Sequence, residues 1–396
     1  MASHGKLVKA IQKVAIQATK IDRAEEARRA RPWPHRRALL IVNSKSGPNR
    51  DSLSRTRELV DLLGAYNIAV DVRIKLSKKQ AARDARAAAK AGCKLVIAAG
   101  GDGTVEAIAR GLLDSRAALG IIPLGTYNNI AHSLGVPTQA EAACALIASG
   151  VPRPIDVGQV HAHGMKEPRI FLEMATVGVG ALLAPLGQHV EKHRLAQAIG
   201  LVAPVVTMEP TGMQVNLDDQ AQPWWTHTML LTISNTPRAG AAMEVCTEAR
   251  VDDGLLDLVI YDGLRQSDLI ARLSSLHDGA IERDARVHHT RARSIDVFAR
   301  QPMPVAAGSK LLGTTPVRFN LRTGALQAIV GHGPGLARPA TNVLPVPIVE
   351  NNERATAPLA ANGPTAHSGL RALAGPMVEA ATAPLARALT RLSDRR

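Results

Sequence analysis

Residues Lys94–Leu112, KLVIAAGGDGTVEAIARGL, decide the fold. The apolar run Lys94 to Ala98 reads as a short buried strand. Glycines then cluster at Gly100, Gly101 and Gly103, and apolar residues return with helical spacing from Val105 to Leu113. Strand, glycine turn and helix in that order suit an anion. Glycines let the backbone come close to a phosphate and expose successive N–H donors. The helix that follows points its N-terminus at the same place. Asp102 does not attract phosphate. A carboxylate there holds a metal ion, orders the loop or accepts a proton.

Working outward, the same alternation recurs. Ala38 to Val42 predicts a strand, followed by the turn-rich Asn43-Ser44-Lys45-Ser46-Gly47-Pro48. Asp51 to Leu63 has helical apolar spacing, Ile68 to Ile74 alternates as a strand, and Gln80 to Ala91 is an alanine-rich helix. After the glycine turn, Leu119 to Ile122 predicts another strand, and Pro123-Leu124-Gly125-Thr126-Tyr127-Asn128-Asn129 a second glycine-containing loop. This β-α-β-α-β-α-β order predicts an α/β domain with a parallel sheet over 38–150. Ligands of such sheets bind outside the carboxyl ends of the strands. The loops after Val42, Ala98 and Ile122 should therefore converge on one edge. They match neither the Walker pattern nor the Gly-x-Gly-x-x-Gly fingerprint.

From Val151 the texture changes. Short apolar runs at Ile155–Val160, Ile170–Ala175, Gln214–Leu217, Thr228–Ile233, Leu255–Ile260, Ser294–Ala299 and Val317–Leu321 predict a mostly antiparallel, β-rich domain over 151–331, whose last strand can return to the first domain. Residues 1–37 read as a basic amphipathic segment. Within it, Lys6–Ala18 reads as a helix that either lies at a membrane interface or docks on protein. Residues 332–396 are rich in Ala, Pro and Arg, and read as a linker followed by a helix over Leu370–Leu392.

The 396 residues carry a net charge of +14, which favours anionic partners: lipid headgroups, nucleotides or nucleic acid. Aromatic residues make up only 2%, which argues against a base-stacking surface, and no nucleic-acid recognition motif is present. The three cysteines lack close spacing and imply buried thiols in a reducing cytoplasm. No long uninterrupted apolar core marks a secretory signal, and no run reaches bilayer length. The expected location is cytoplasmic, with a peripheral place on the inner membrane surface. His189 and His193 read as a solvated helix face rather than a metal site. His161, His163, His288 and His289 read as loop histidines. Trp224 and Trp225 read either as core or as a lipid-facing anchor.

Several ordered motifs carry a family resemblance. Asn43–Gly47, GGDGTVEAIARGL, PLGTYNNIAHSLGVP (Pro123–Pro137), Ile155-Asp156-Val157-Gly158, Phe171–Gly180 and Asp252-Asp253-Gly254-Leu255-Leu256-Asp257 resemble the catalytic domain of diacylglycerol and sphingosine kinases. The likeness is strongest to soluble bacterial lipid kinases. It implies a nucleotide domain like that of NAD kinases, a β-rich lipid domain, and an active site between them. It implies transfer of a phosphoryl group from ATP to a hydroxyl of diacylglycerol or a related lipid, with Mg²⁺. The implied ATP contacts are Asn43, Gly100, Gly101, Asp102, Gly103, Thr104, Val105, Glu106, Gly125 and Thr126. The implied metal site is the Asp253 side chain with the carbonyls of Arg250 and Leu255, oxygen ligands that suit a hard cation. Without the resemblance, Asp252-Asp253-Gly254 reads equally as an Asp-Gly turn between strands.

The sequence also departs from the family pattern. Where such kinases carry Asp-Gly-Glu, with an acid thought to activate the lipid hydroxyl, this chain has Gly308-Ser309-Lys310. A usual threonine corresponds to Lys75, a usual Asn-Asp pair to Asn128-Asn129, and a usual asparagine to Glu173. Asp102 is then the remaining candidate for a catalytic acid. A second reading follows: a weak or inactive relative that binds nucleotide or lipid as a regulator.

Overall fold

The computed structural model describes residues 37–43, 52–184, 208–218, 220–240, 242–265, 268 and 285–337. All of them belong to one unit, Met1–Thr341. The helices expected at Lys6–Ala18 and Leu370–Leu392, the linker, the loop Ser44–Pro48 and the pair His189/His193 lie outside the described residues.

The first half alternates as expected: β1 (Arg37–Val42), α1 (Ser52–Ala65), β2 (Ala69–Ile74), α2 (Lys78–Lys90), β3 (Leu95–Gly100), α3 (Asp102–Leu112), β4 (Ala118–Pro123), α4 (Asn129–Ser133) and α5 (Ala140–Ser149). The strands pair in parallel in the order β4-β3-β1-β2. Every residue of β3 and β4 is buried, which explains their unbroken apolar runs. At the outer edge β2 is largely exposed and carries Asp71 and Arg73, charges that discourage pairing with a further strand. The alanines of α2 have a packing purpose. Ala81 and Ala85 are buried, and a Cβ on Gly111 of α3 would stand 2.3 Å from the Ala82 carbonyl oxygen. Small residues on both helices permit that close approach.

The second half is antiparallel and β-rich: β5 (Pro152–His163), β6 (Arg169–Phe171), β7 (Met174–Gly178), α6 (Val179–Leu183), β8 (Thr211–Leu217), β9 (Trp224–Thr228), β10 (Leu230–Ser234), β11 (Arg238–Ala239), β12 (Met243–Glu244), β13 (Leu256–Tyr261), β14 (Val287–Ala292), β15 (Ser294–Ala299), β16 (Pro304–Ala307) and β17 (Lys310–Ile329). Among the described residues, the 20-residue β17 joins the two halves. It pairs antiparallel with β5, β15 and β16, then parallel with β4 at Gln327 and Ala328. One core surrounds the parallel sheet, with Leu40, Ile97, Ile108 and Leu119 at its centre. A second fills the β-rich half, around Val160, Phe171, Met213 and Phe319.

Three differences from the sequence reading have local causes. Helix α3 begins at Asp102, not Val105, because the Gly101 carbonyl already accepts the N–H groups of Thr104 (2.8 Å) and Val105 (3.2 Å). The run Ile170–Ala175 divides into β6 and β7. Asn235 takes the backbone groups in between: its Nδ2 donates to the Leu172 carbonyl (2.9 Å) and its N–H to the Glu173 carbonyl (2.8 Å). The run Thr228–Ile233 breaks at Met229, where the Thr228 hydroxyl accepts from Leu230 N (3.1 Å) and donates to the Tyr261 carbonyl (2.6 Å).

The Ile155-Asp156-Val157-Gly158 motif is structural. The buried Asp156 carboxylate accepts from Gly324 N (2.7 Å) at a bulge of β17 and from Gly254 N (2.8 Å) in the Asp252–Gly254 turn. A Cβ on Gly158 would stand 2.2 Å from the ring of the fully buried Phe171. Gly158→Ala should therefore lower stability by about 1–3 kcal/mol, read as a shifted urea midpoint, and Phe171→Leu in the same chain should recover part of that loss.

Candidate functional site

The three strand-end segments meet at one edge of the sheet. Asn43 N donates to the Ala99 carbonyl (2.9 Å), and Leu124 N to the Gly100 carbonyl (3.1 Å). The two glycine loops touch backbone to backbone. A Cβ on Gly125 would lie 2.5 Å from Gly101 Cα, and one on Gly101 3.0 Å from Gly125 Cα. Only glycine at both positions allows this contact. Asn128 closes the second loop: its Oδ1 accepts from Gly125 N and its Nδ2 donates to the Gly125 carbonyl, both at 2.9 Å. Its φ of 51° is left-handed, a conformation asparagine tolerates better than most residues. Thr126 is exposed at the loop tip.

Asp102 links the loops. Its Oδ1 accepts from Ile130 N (3.0 Å) at the start of α4, whose own N-cap, Asn128, supplies no side-chain bond. Of the three roles open to this carboxylate, ordering the loop is the one with a contact in the structure. Two more acids face it. Glu173 accepts from Asn129 Nδ2 (3.1 Å), and the same amide donates to the Gly240 carbonyl (2.9 Å). Glu106 lies one helical turn beyond Asp102. Its Oε2 is 3.4 Å from where a Cβ on Gly308 would project. Gly308, at φ 51°, is anchored by donating its N–H to the Met174 carbonyl (3.0 Å).

All three acids keep some solvent contact yet sit deep among protein atoms. Burial is the main cause that raises each of their pKa values from the ordinary carboxyl value. For Glu173, pushed up most, the neighbouring Asp102 charge adds to burial and the Asn129 bond opposes it. Cations gather on the Glu106 side. Lys78, Arg169 and Arg110 all pull the Glu106 pKa down against its burial. Arg169 lowers the pKa of Lys310, helped by burial, Arg110 and Lys78. Arg110 is itself lowered by burial and by Arg169. Four cations against the three acids leave a net positive balance beside the glycine loop.

The Asp252–Gly254 turn lies elsewhere. The charged neighbours of Asp253 are Asp257, Arg291 and Asp156. Asp253 Oδ1 accepts from Leu255 N (3.0 Å), and Gly254 has a φ of 79° with open space beside it. The part-buried Asp253 carboxylate is an oxygen donor of the kind a hard cation takes, with backbone carbonyls available in the same segment of chain.

Comparison with known proteins places this geometry in a family. Residues 37–160 match the model described as the diacylglycerol kinase catalytic domain, and residues 175–330 match the YegS C-terminal NAD kinase beta sandwich-like domain. A protein of Pseudomonas savastanoi pv. phaseolicola named "Probable lipid kinase YegS-like" is 30% identical over 314 residues, covering 77% of this chain and 99% of that protein. The chain belongs to the diacylglycerol kinase catalytic-domain family. A protein of the same name from Pseudomonas putida is 30% identical over 294 residues, covering 74% of this chain and 94% of its own. The fold is shared with a crystal structure of a diacylglycerol kinase from Bacillus anthracis str. Sterne, at TM-score 0.57 and 23% identity over 76% of this chain and 98% of that one.

Against the family pattern, the structure brings together Asn43, Gly100 to Glu106 and Gly125, and keeps Asp253 apart from them. Lys78, Arg110 and Arg169 escaped the sequence reading. Arg110 had a signal, since it follows Glu106 by four residues within the quoted stretch. Lys78 and Arg169 had none. Trp224 and Trp225 divide as strand alternation requires. Trp224 packs on the second core and against His288, with ring centroids 5.5 Å apart, while Trp225 is 69% exposed. Among the described residues, no helix is long and apolar enough to cross a membrane.

The raised pKa of Glu173 carries a stability consequence. The folded state holds its proton more tightly than the unfolded state, so stability is lost as pH rises above the ordinary glutamate value of 4.5. Glu173→Gln should raise Tm near neutral pH by about 2 °C or more. That advantage should shrink towards zero below pH 4.5, as thermal denaturation at the two pH values would reveal.

Proposed function

We propose that this chain is an ATP-dependent lipid kinase, transferring the γ-phosphoryl group to a hydroxyl of diacylglycerol or a related lipid. The observation that carries the reading is the net positive patch of Lys78, Arg110, Arg169 and Lys310 beside two interlocked glycine loops and a perturbed carboxylate. Phosphoryl transfer depends on positioning and on charge stabilisation, which are what such a patch provides.

Each residue takes a role. Asn43, Gly100, Gly101, Gly103, Thr104, Val105, Gly125 and Thr126 form the nucleotide wall. The glycines leave backbone N–H groups accessible to phosphate oxygens. Asp102 keeps the second loop against the first through Ile130 N. When bound, ATP with Mg²⁺ supplies the phosphoryl group with part of its charge neutralised. Asp253, with the carbonyls of Arg250 and Leu255, would hold a Mg²⁺ that stiffens its own turn. Lys310 and Arg169, at the starts of β17 and β6, neutralise phosphate charge.

The lipid hydroxyl needs a proton acceptor. Gly308 and Lys310 cannot serve, but the Glu106 carboxylate occupies the space in front of Gly308. Burial raises its pKa, which suits a base working near neutral pH. Trp225 and Phe298 support contact with an anionic membrane surface. Both are exposed, and both pair with Gln214 from either side of β8, so they lie on one face.

A second reading stays attached to Gly308 and Lys310: a weak or inactive relative that binds nucleotide or lipid as a regulator. Labelled ATP, offered with vesicles containing diacylglycerol, sphingoid base or related lipids, decides between them. Transfer to a lipid is expected. ATP binding without transfer to any lipid would favour the regulator.

If Glu106 is the base, Glu106→Gln should lower kcat roughly 10²- to 10⁴-fold. The wild-type rate should fall as pH drops through a value above 4.5, because protonated Glu106 accepts nothing, and the variant should lack that limb. A carboxylate introduced by Gly308→Asp alone would crowd Glu106 and should lower the rate. Gly308→Asp with Glu106→Gln should recover activity relative to Glu106→Gln, in the same labelled-ATP assay.

A further inference from the structure

Away from the glycine loops, three residues of different chemistry converge. Cys246 follows β12, Asp257 is in β13 and His289 is in β14, where it pairs with Val259. One ligand atom from each lies within 4.8 Å of the other two. His289 Nε2 is 2.7 Å from Asp257 Oδ1 and 3.6 Å from Cys246 Sγ. Cys246 is 2% exposed, Asp257 is 0% exposed, and Asp257 Oδ2 is buried without a hydrogen-bond partner in the protein.

The geometry points to a transition-metal site of the zinc type, with Cys246, Asp257 and His289 as protein ligands. Tetrahedral zinc with Zn–S near 2.3 Å and Zn–N near 2.0–2.1 Å puts sulfur and nitrogen about 3.6 Å apart. The Cys246–His289 separation matches that edge, whereas the 2.7 Å contact between His289 Nε2 and Asp257 Oδ1 is a hydrogen-bond distance, which leaves the unpartnered Oδ2 as the oxygen to ligate. A nucleophilic Cys-His-Asp relay is excluded, because the same imidazole nitrogen faces both the thiol and the Asp257 carboxylate. A relay needs the two nitrogens to face opposite partners.

The surroundings are those of a metal ligand set. A ligating imidazole usually turns its other nitrogen to a carboxylate, and His289 Nδ1 faces Glu248 Oε2 at 3.7 Å. Arg291 ties the outer groups together, donating Nε to Asp257 Oδ1 (3.0 Å) and Nη2 to Glu248 Oε2 (3.0 Å). Its charge is offset by Glu248, so the thiolate and Asp257 remain to balance a divalent ion. Beneath lie Ala249, Val259, Tyr261 and Leu264, an apolar bed that strengthens charge interactions. Thiolate and imidazole select zinc-like ions over magnesium, so this site is chemically distinct from an oxygen site at Asp253. Its role would be structural. It would pin the segment between β12 and β13, which carries Asp253, onto two core strands.

The test uses the full-length reduced protein, stripped with chelator and titrated with Co²⁺, then with Zn²⁺. One Co²⁺ per chain is expected, with a thiolate-to-cobalt charge-transfer band that Zn²⁺ removes and a large excess of Mg²⁺ leaves unchanged. Cys246→Ser should abolish the band, whereas Cys93→Ser and Cys144→Ser should retain it. Glu248→Gln should weaken Zn²⁺ binding by about 10- to 100-fold without removing the band. His289→Gln, at a partly exposed position, repeats the test should Cys246→Ser not fold, and should lose Zn²⁺ binding. Absence of the charge-transfer band in the wild type, or undiminished Zn²⁺ binding in both Cys246→Ser and His289→Gln, would overturn the assignment.

Discussion

Asp156 is the buried charge on which the two halves of the structure depend. Its two oxygens hold the bulge of β17 at Gly324 and the turn at Gly254, and its own carbonyl accepts from Asn235 (3.2 Å). Asn235 in turn fixes the backbone of Leu172 and Glu173. One residue, through its carboxylate and its carbonyl, thus connects the joining strand, the proposed magnesium turn and the acid cluster. Loss of a buried acceptor leaves its donors unsatisfied at about 1–3 kcal/mol each. The effect here would be felt at several places at once.

The functional edge is built against stability. The Asp102 charge opposes a charge on Glu173, and Lys310, Arg169 and Arg110 crowd one another. Such arrangements persist where a ligand offsets them. Like cations held together have a standing demand for phosphate, and a buried acid with a raised pKa has a standing demand for a proton. The apolar sheet behind them, with β3 and β4 wholly buried, keeps these groups in position.

Much of this was legible in the sequence because it is local. The order of strands and helices over 38–150, the converging loops and the need for glycine at Gly101 and Gly125 follow from spacing and backbone geometry. What escaped depends on long-range contacts. Glu106 and Gly308 are some 200 residues apart in the chain and meet only through the tertiary fold, in which β16 pairs with β7. Strand β17 was read only as Val317–Leu321, since its polar residues and two bulges interrupt the alternation that pattern reading needs. His289 read as a loop residue and Cys246 as an ordinary buried thiol; only the β13–β14 register brings them together.

The pairing of β17 with β4 bears on how the chain can be divided. Strand β4 is wholly apolar and flanked by β3 on one side and by Gln327–Ala328 of β17 on the other. A fragment ending near residue 150 would keep every glycine-loop residue, yet lay open that edge as unpaired backbone along a hydrophobic strand. Open edges of this kind recruit other chains. The glycine loops therefore cannot be lifted out as a portable module: the segment that covers this edge is made only after more than 300 residues of the polypeptide.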